Sequence, residues 1–268
     1  MRELVEHKER YGIKFHGFPD DNFAVTLGRI KELHNIVPWG THTRLDEVAG
    51  LNKTTKGTAE IMAEAGCKYI GFGPESASAK VLEAIGKGGH TLTNGFTEVM
   101  VGGKSHSFPT SMVVGIREAA RVGIHGNCTW IAFSPTETLE DLKESVLFIQ
   151  WQMEFYAQFG AKPESVNSRM FAMTWYPGVT LINSPKVRSE LERVFGLSFQ
   201  RVSLDPHKVM WDPVMDDKFY HYLRELDDAT KVLEVDGEPL NFSDMDNDTV
   251  LQVRSLIDNG KTLDILNL

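Results

Sequence analysis

Apolar positions along this chain come in short extended runs, each closed by a polar turn and followed by a stretch of helical spacing. Residues 1–11 are charged, with Leu4 and Val5 as a small apolar face, and predict a helix. Gly12 then leads into Ile13 to Phe18, a strand pattern that stops at Pro19-Asp20-Asp21-Asn22 before a helix expected over 23–36. Val37 to Arg44 repeats the unit as strand and loop, followed by a short helix over 45–50, a polar break at residues 52–56 and a helix ending near Gly66. In the third unit Tyr69, Ile70 and Phe72 alternate with small residues, which suits a strand covered on both faces. Gly73 and Pro74 are expected to end it, leaving Glu75, Ser76 and Ser78 in the turn before a helix over 80–85.

A helix over 112–122 precedes a fourth strand over 127–133, which stops at Ser134-Pro135-Thr136-Glu137-Thr138. Thr138 or Thr136 can cap the long helix that follows to about Phe159, where Leu139, Leu142, Val146, Ile149 and Met153 share one face. A fifth strand over 165–173 ends at Thr174-Trp175-Tyr176-Pro177-Gly178. Five alternations at this spacing predict an α/β fold with parallel strands and right-handed crossovers. The glycine-rich segment 87–111 breaks the pattern and is read as an inserted loop, a candidate lid. Beyond Leu181 the alternation stops, and 184–195, 214–235 and 246–259 read as helices. The expected division is therefore 1–183 and a mainly helical C-terminal extension, 184–268.

In a parallel sheet the chemical groups sit just past the carboxyl ends of the strands. Asp20, Asp21, Arg44, Glu75, Ser76 and Glu137 hold that address. Each has a plainer reading beside it: Asp21 or Asn22 as a helix cap, Arg44 as half of a surface ion pair. His16, His42 and Glu75 also admit a metal site, hence a metal-dependent barrel hydrolase or lyase, against which alternation can turn the two histidines away as polar wall. Asp244, Asp246 and Asp248 open like a calcium loop, but Thr249 and Ser255 stand where such a loop needs Gly and Glu, so helix capping explains them.

The formal charge of -9 argues against nonspecific capture of nucleic acid and favours small-molecule chemistry. Two cysteines in unrelated segments imply no disulfide framework and fit a reducing cytoplasm, and no run is long and apolar enough to span a membrane.

The order of the strand-end segments carries more than any one of them. Asp20-Asp21-Asn22-Phe23, Thr43-Arg44, Gly73-x-Glu75-Ser76-x-Ser78, Pro135-x-Glu137-Thr138 and Tyr176-Pro177-Gly178 together resemble the radical S-adenosylmethionine superfamily, in the branch often fused to a cobalamin-binding domain. The resemblance covers about residues 1–181 and implies a partial (β/α) barrel. It further implies that Asp20 and Asp21 approach the methionine end of S-adenosylmethionine and that Arg44, Glu75 and Ser76 reach its carboxylate or ribose. Ile131, Phe133, Pro135 and Glu137 would lie along the adenine, with Trp175 to Gly178, including Tyr176, closing the pocket. The family's four-iron four-sulfur cluster uses a Cys-x3-Cys-x2-Cys loop that this chain lacks, with Cys67 and Cys128 as its only thiols. The first strand and that loop are accordingly expected to be missing. A cysteine-bearing N-terminal chain or domain becomes the expected partner, with cobalamin in a separate domain. A non-catalytic subunit that completes a barrel with another chain is a further alternative. Two more departures stand out: Phe133 and Thr136 occupy positions where the family carries Gly.

Overall fold

The computed structural model describes residues 2–25, 27–51, 57–205, 208–226 and 232–268. Helix α1 (Arg2–Tyr11) precedes β1 (His16–Phe18), and a 3-10 turn at Phe23–Val25 leads to α2 (Leu27–Lys31). The single helix expected over 23–36 is thus cut short, because Asn22 does not cap it. The Asn22 carboxamide oxygen accepts instead from the Thr43 hydroxyl at 2.7 Å, and the Ala24 N–H donates to Thr43 Oγ1 at 3.2 Å. These bonds stitch the first loop to the end of β2 (Trp39–Thr43).

Next come α3 (Leu45–Ala49), α4 (Thr58–Glu64), β3 (Cys67–Glu75), α5 (Ala79–Ala84) and α6 (Gly88–Thr91). The polar break at 52–56 lies outside the described residues. Hairpin strands β4 (Phe96–Val101) and β5 (Lys104–Pro109) lead to α7 (Thr110–Arg121), β6 (His125–Ala132), α8 (Leu139–Ala157) and β7 (Met170–Ala172). Strands β1, β2, β3, β6 and β7 pair in that order, all parallel, in one sheet. The sheet curls through 187°, a half-barrel. The alternation is regular along β6, where Gly126, Cys128, Trp130 and Ala132 are buried and the residues between them half-buried. Trp130 packs on Phe148 of α8, so the buried side is the helix-covered one.

Two expectations need correction. Strand β3 runs through Gly73 and Pro74 to Glu75, with a bulge between Phe72 and Glu75 that lets Pro74 stay in an extended chain without a ladder N–H. The segment 87–111 is no loop: Val101 pairs with Lys104 across Gly102-Gly103, whose φ of 55° and 79° suit a two-residue turn with both central residues left-handed. Val99, Val101 and Phe108 bury one face of this hairpin in the main core, and Phe108 packs edge-on to Phe148 of α8. It is a packed element rather than a lid.

The C-terminal portion opens with α9 (Pro185–Phe195), followed by a hairpin of β8 (Phe199–Asp205) and β9 (Lys208–Pro213). Then come α10 (Asp217–Glu225), a small hairpin of β10 (Glu234–Val235) and β11 (Glu238–Pro239), and α11 (Asn247–Asp258). Neither hairpin is among the expected elements: the first fills the gap between the helices expected over 184–195 and 214–235, and the second starts at the end of the latter; in the sequence, the polar–apolar run Arg201-Val202-Ser203-Leu204-Asp205 already carries a period of two. Of the helix expected over 214–235, only α10 is formed, and residues 227–231 lie outside the described ones. Asp246 caps α11 by accepting from the Thr249 N–H at 2.8 Å, as the acidic run predicted. Trp175, Ile182, Val187, Leu191, Phe219, Tyr222 and Phe242 form a second core. Val250, Val253 and Ile257 of α11, with Ile265 beyond it, rejoin the first.

Candidate functional site at the carboxyl rim

With all five strands parallel, the segments after Phe18, Thr43, Phe72, Ala132 and Ala172 emerge at one rim. Arg44 caps β2 and is held flat by a two-pronged bond to Asp46, Nε to Oδ1 and Nη2 to Oδ2, both 2.8 Å. On the neighbouring strand Glu75 takes a left-handed conformation, φ 64°, and its Oε1 accepts from Lys87 Nζ at 2.9 Å. Gly73 makes this possible: a Cβ there would stand 2.8 Å from Glu75 Oε1, so the carboxylate folds back into space only glycine leaves free. Arg44, Asp46, Gly73, Pro74, Lys87 and His90 enclose a cleft of about 200 Å³. Two cations, each steadied by one carboxylate, face that cleft, a pattern suited to an anionic group of a ligand.

The rest of the motif around Glu75 is spent inside the protein. Ser76 is fully buried and meets Ser145 of α8, whose hydroxyl also accepts from the Ala77 N–H at 2.9 Å. Ser78 donates to Asp141 Oδ1 at 2.8 Å, and Lys80 reaches Asp141 Oδ2 at 3.1 Å. Asp141 in turn completes a capping box with Thr138 at the start of α8. Burial works against its charge, but the bonds from Thr138, Ser78 and Lys80 hold its carboxyl below the ordinary carboxylate range. Ser76 therefore clips two loops together and is turned away from the cleft.

Glu137 is fully buried. Its Oε2 accepts the N–H groups of Phe133 at 2.6 Å and Ser134 at 3.1 Å, while Oε1 has no partner among the described residues. Burial outweighs these two bonds and pushes the carboxyl up to about 8. The carboxylate is the internal tie of its own turn, which two non-glycine residues enter in the left-handed region: Phe133 and Thr136, both at φ 67°. Both stand where the resembled family carries Gly, so the backbone conformation that glycine would supply is kept under strain. Thr136 is exposed. Thr136→Gly is therefore expected to raise stability by roughly 0.5–1 kcal/mol, strain relief less the entropy of glycine, and a fall in urea midpoint would show the strain is not there.

The remaining rim residues are dispersed. Asp20 is paired to Arg29 at 2.9 Å, and Asp21 is exposed on the turn. Ile131 is half-buried on the opposite face of β6 from Trp130, Pro135 is buried in the Glu137 turn, and Tyr176 is 43% exposed. Trp175 belongs to the second core, stacked on Tyr222, whose hydroxyl donates to the Trp175 carbonyl at 2.5 Å. The His16, His42 and Glu75 trio does not assemble. His16 lies edge-on to Phe18, on the side of Trp39, whereas the His42 ring lies over Gly71, three residues along β2 and so on the other face. Among the described residues no group of three His, Cys, Asp or Glu is placed to hold a metal ion. Lys87, Asp46 and Asp141 were missed from sequence; only Asp141, three residues after Thr138, carried a signal.

An iron–sulfur cluster does not fit this chain's thiols. Cys67 and Cys128 are both buried, on β3 and β6. Burial pushes the Cys67 thiol up to about 12 and raises Cys128 further, beside the Glu75 charge.

No protein-family model matches the chain. A curated relative, the uncharacterized methyltransferase PH0819 of Pyrococcus horikoshii, is 30% identical over 166 residues, 59% of this chain but 31% of the relative. The match thus spans about a third of that relative's length. Several solved structures share part of the chain's course. They include the cobalamin-dependent S-adenosylmethionine radical enzyme OxsB, at TM-score 0.43 and 20% identity over 55% of this chain and 21% of that one. The radical S-adenosylmethionine methyltransferase TsrM of Kitasatospora setae scores 0.46 at 13% identity, over 76% of this chain and 34% of that one. Likeness at this level concerns the course of the chain and not its chemistry. No helix among the described residues is long and apolar enough to cross a membrane.

Proposed function

We propose that the carboxyl rim of this half-barrel binds S-adenosylmethionine, as part of a radical S-adenosylmethionine enzyme of the cobalamin-associated branch. The observation that carries the reading is one cleft lined by Arg44, Asp46 and Lys87, with Glu75 on the adjacent strand end behind it, bonded to Lys87. The order of rim segments along the sequence supports it, as does the methyltransferase relative. At about 200 Å³ the cleft is smaller than the ~300–1,000 Å³ of sites that enclose a whole drug-sized ligand. It accommodates one end of the cofactor: the carboxylate against Arg44 and Lys87, a ribose hydroxyl or the ammonium against Glu75. When bound, S-adenosylmethionine supplies the methyl group or the adenosyl radical, and the chain's residues bind and orient it. The buried thiols support assigning the cluster to a cysteine-bearing partner or domain, with methyl transfer or carbon-skeleton rearrangement of a small molecule as the overall reaction.

The test is calorimetric titration with S-adenosylmethionine. Glu75→Ala is expected to weaken binding by about 1.5–3 kcal/mol, the range for a charged hydrogen bond. Tm should stay nearly constant, since the Lys87 partner is half-exposed and such pairs add little to folding. Loss of stability with unchanged affinity would make Glu75 a structural residue and sink the site.

A further inference from the structure

A second cleft lies at the opposite rim. A cleft of about 730 Å³ opens between the amino ends of β6 and β7 and the turn after α11, and no residue of the carboxyl rim lines it. Its wall is the loop Pro163 to Arg169, polar at Glu164, Ser165, Asn167, Ser168 and Arg169, with Val166 buried in the first core. Asn127 sets this loop: its Nδ2 donates to the Ser165 carbonyl at 3.1 Å and its Oδ1 accepts from the Asn167 N–H at 2.8 Å. His125 holds the same carbonyl at 2.8 Å. The loop is therefore fixed from β6, while two lining charges have a weak partner or none among the described residues. Ser165 Oγ, buried and without a hydrogen-bond partner among the described residues, is closed off from the cleft. The Arg169 guanidinium enters none of the ion pairs between described residues. Asp258, across the cleft, touches Arg254 only at 3.5 Å, and Arg254 is better matched to Glu234 at 2.7 Å.

A cleft of this size is within the range of sites that enclose a small ligand. A guanidinium and a carboxylate lining one cleft match a molecule that carries both charges. We propose that this cleft is a second small-molecule site, for a zwitterion of the α-amino-acid class. Its carboxylate sits on Arg169 and its ammonium on Asp258. The site is independent of S-adenosylmethionine binding at the other rim.

The probe is a pool of the common free α-amino acids at millimolar concentration with the full chain, read by saturation-transfer NMR. Titration of whichever member responds follows. At least one amino acid is expected to bind, and its N-acetyl and carboxamide derivatives are expected not to. Arg169→Ala and Asp258→Asn should each weaken binding about tenfold or more, as loss of a charged hydrogen bond does. Ser165→Ala should leave binding unchanged, with Tm unchanged or higher, because it removes an unpaired buried hydroxyl that faces away from the cleft. The Glu75→Ala variant should bind the amino acid normally. No response from the whole pool, equal binding of the blocked derivatives, or affinity unchanged in the Arg169 and Asp258 variants would each overturn the proposal.

Discussion

Glu137→Gln is expected to match the unsubstituted protein in stability below pH 4.5 and to exceed it above pH 8. In the folded chain burial raises this carboxyl from 4.5 to about 8. The unfolded chain therefore ionises first. The stability tied to the protonated form is fully present below 4.5 and is lost as pH rises through about 8. Integrated over that window, the loss is on the order of a few kcal/mol. Glutamine keeps an oxygen where Oε2 accepts the Phe133 and Ser134 N–H groups, and it has no proton to release. Urea unfolding at several pH values should show a falling curve for the unsubstituted protein and a flat one for the Glu137→Gln variant through the neutral range. Parallel curves would mean the carboxylate is ionised and solvated in the native turn. Asp141 acts elsewhere: its depressed carboxyl contributes above 3.8, and that contribution is lost only as pH falls below this range.

The second large effect is expected from Gly115→Ala in the middle of α7, where helix propensity alone forecasts a gain of about 1 kcal/mol. Packing reverses the sign. A Cβ on Gly115 would stand 2.8 Å from the carbonyl oxygen of Leu45 and 2.9 Å from its Cδ2. Backbone cannot rotate aside as a side chain can, so α7 and α3 must separate, opening a core in which Met112, Val113 and Ile116 are fully buried. Overpacking of this kind costs typically 1–3 kcal/mol, and here the upper part of that range or somewhat more is expected. Leu45 follows Arg44 directly, so the displaced helix carries a rim cation with it. Reduced urea stability together with weaker S-adenosylmethionine binding is the expected pair of results; a stabilised Gly115→Ala protein would show that the helices separate freely.

The parallel strand order and the shared rim were legible because each strand is a short apolar run and each turn is polar, signals that do not depend on distant partners. Thr138 as a cap was legible for the same local reason. The role of Ser76 was not, since its partner Ser145 is remote in sequence and only the folded chain brings the two hydroxyls together. Glycines misled the reading of 87–111: weak formers obscured the Val99, Val101 and Phe108 pattern, although Gly102-Gly103 is itself a hairpin signal. The metal trio failed on strand parity, and a count from Trp39 to His42 contains that answer. Phe133 and Thr136 show the converse case, where residue type alone argues against the conformation the turn adopts.

Helix α11 and the segment ending at Ile265 close the flank of a core whose other walls are built almost wholly from residues 4–172. During synthesis the half-barrel is thus made long before its last apolar face is covered, and the second core must be threaded out in between. Until residues 247–267 emerge, the side of α8 that packs on Thr262–Asn267 faces solvent, and this waiting intermediate is the species most exposed to aggregation or to capture by a chaperone.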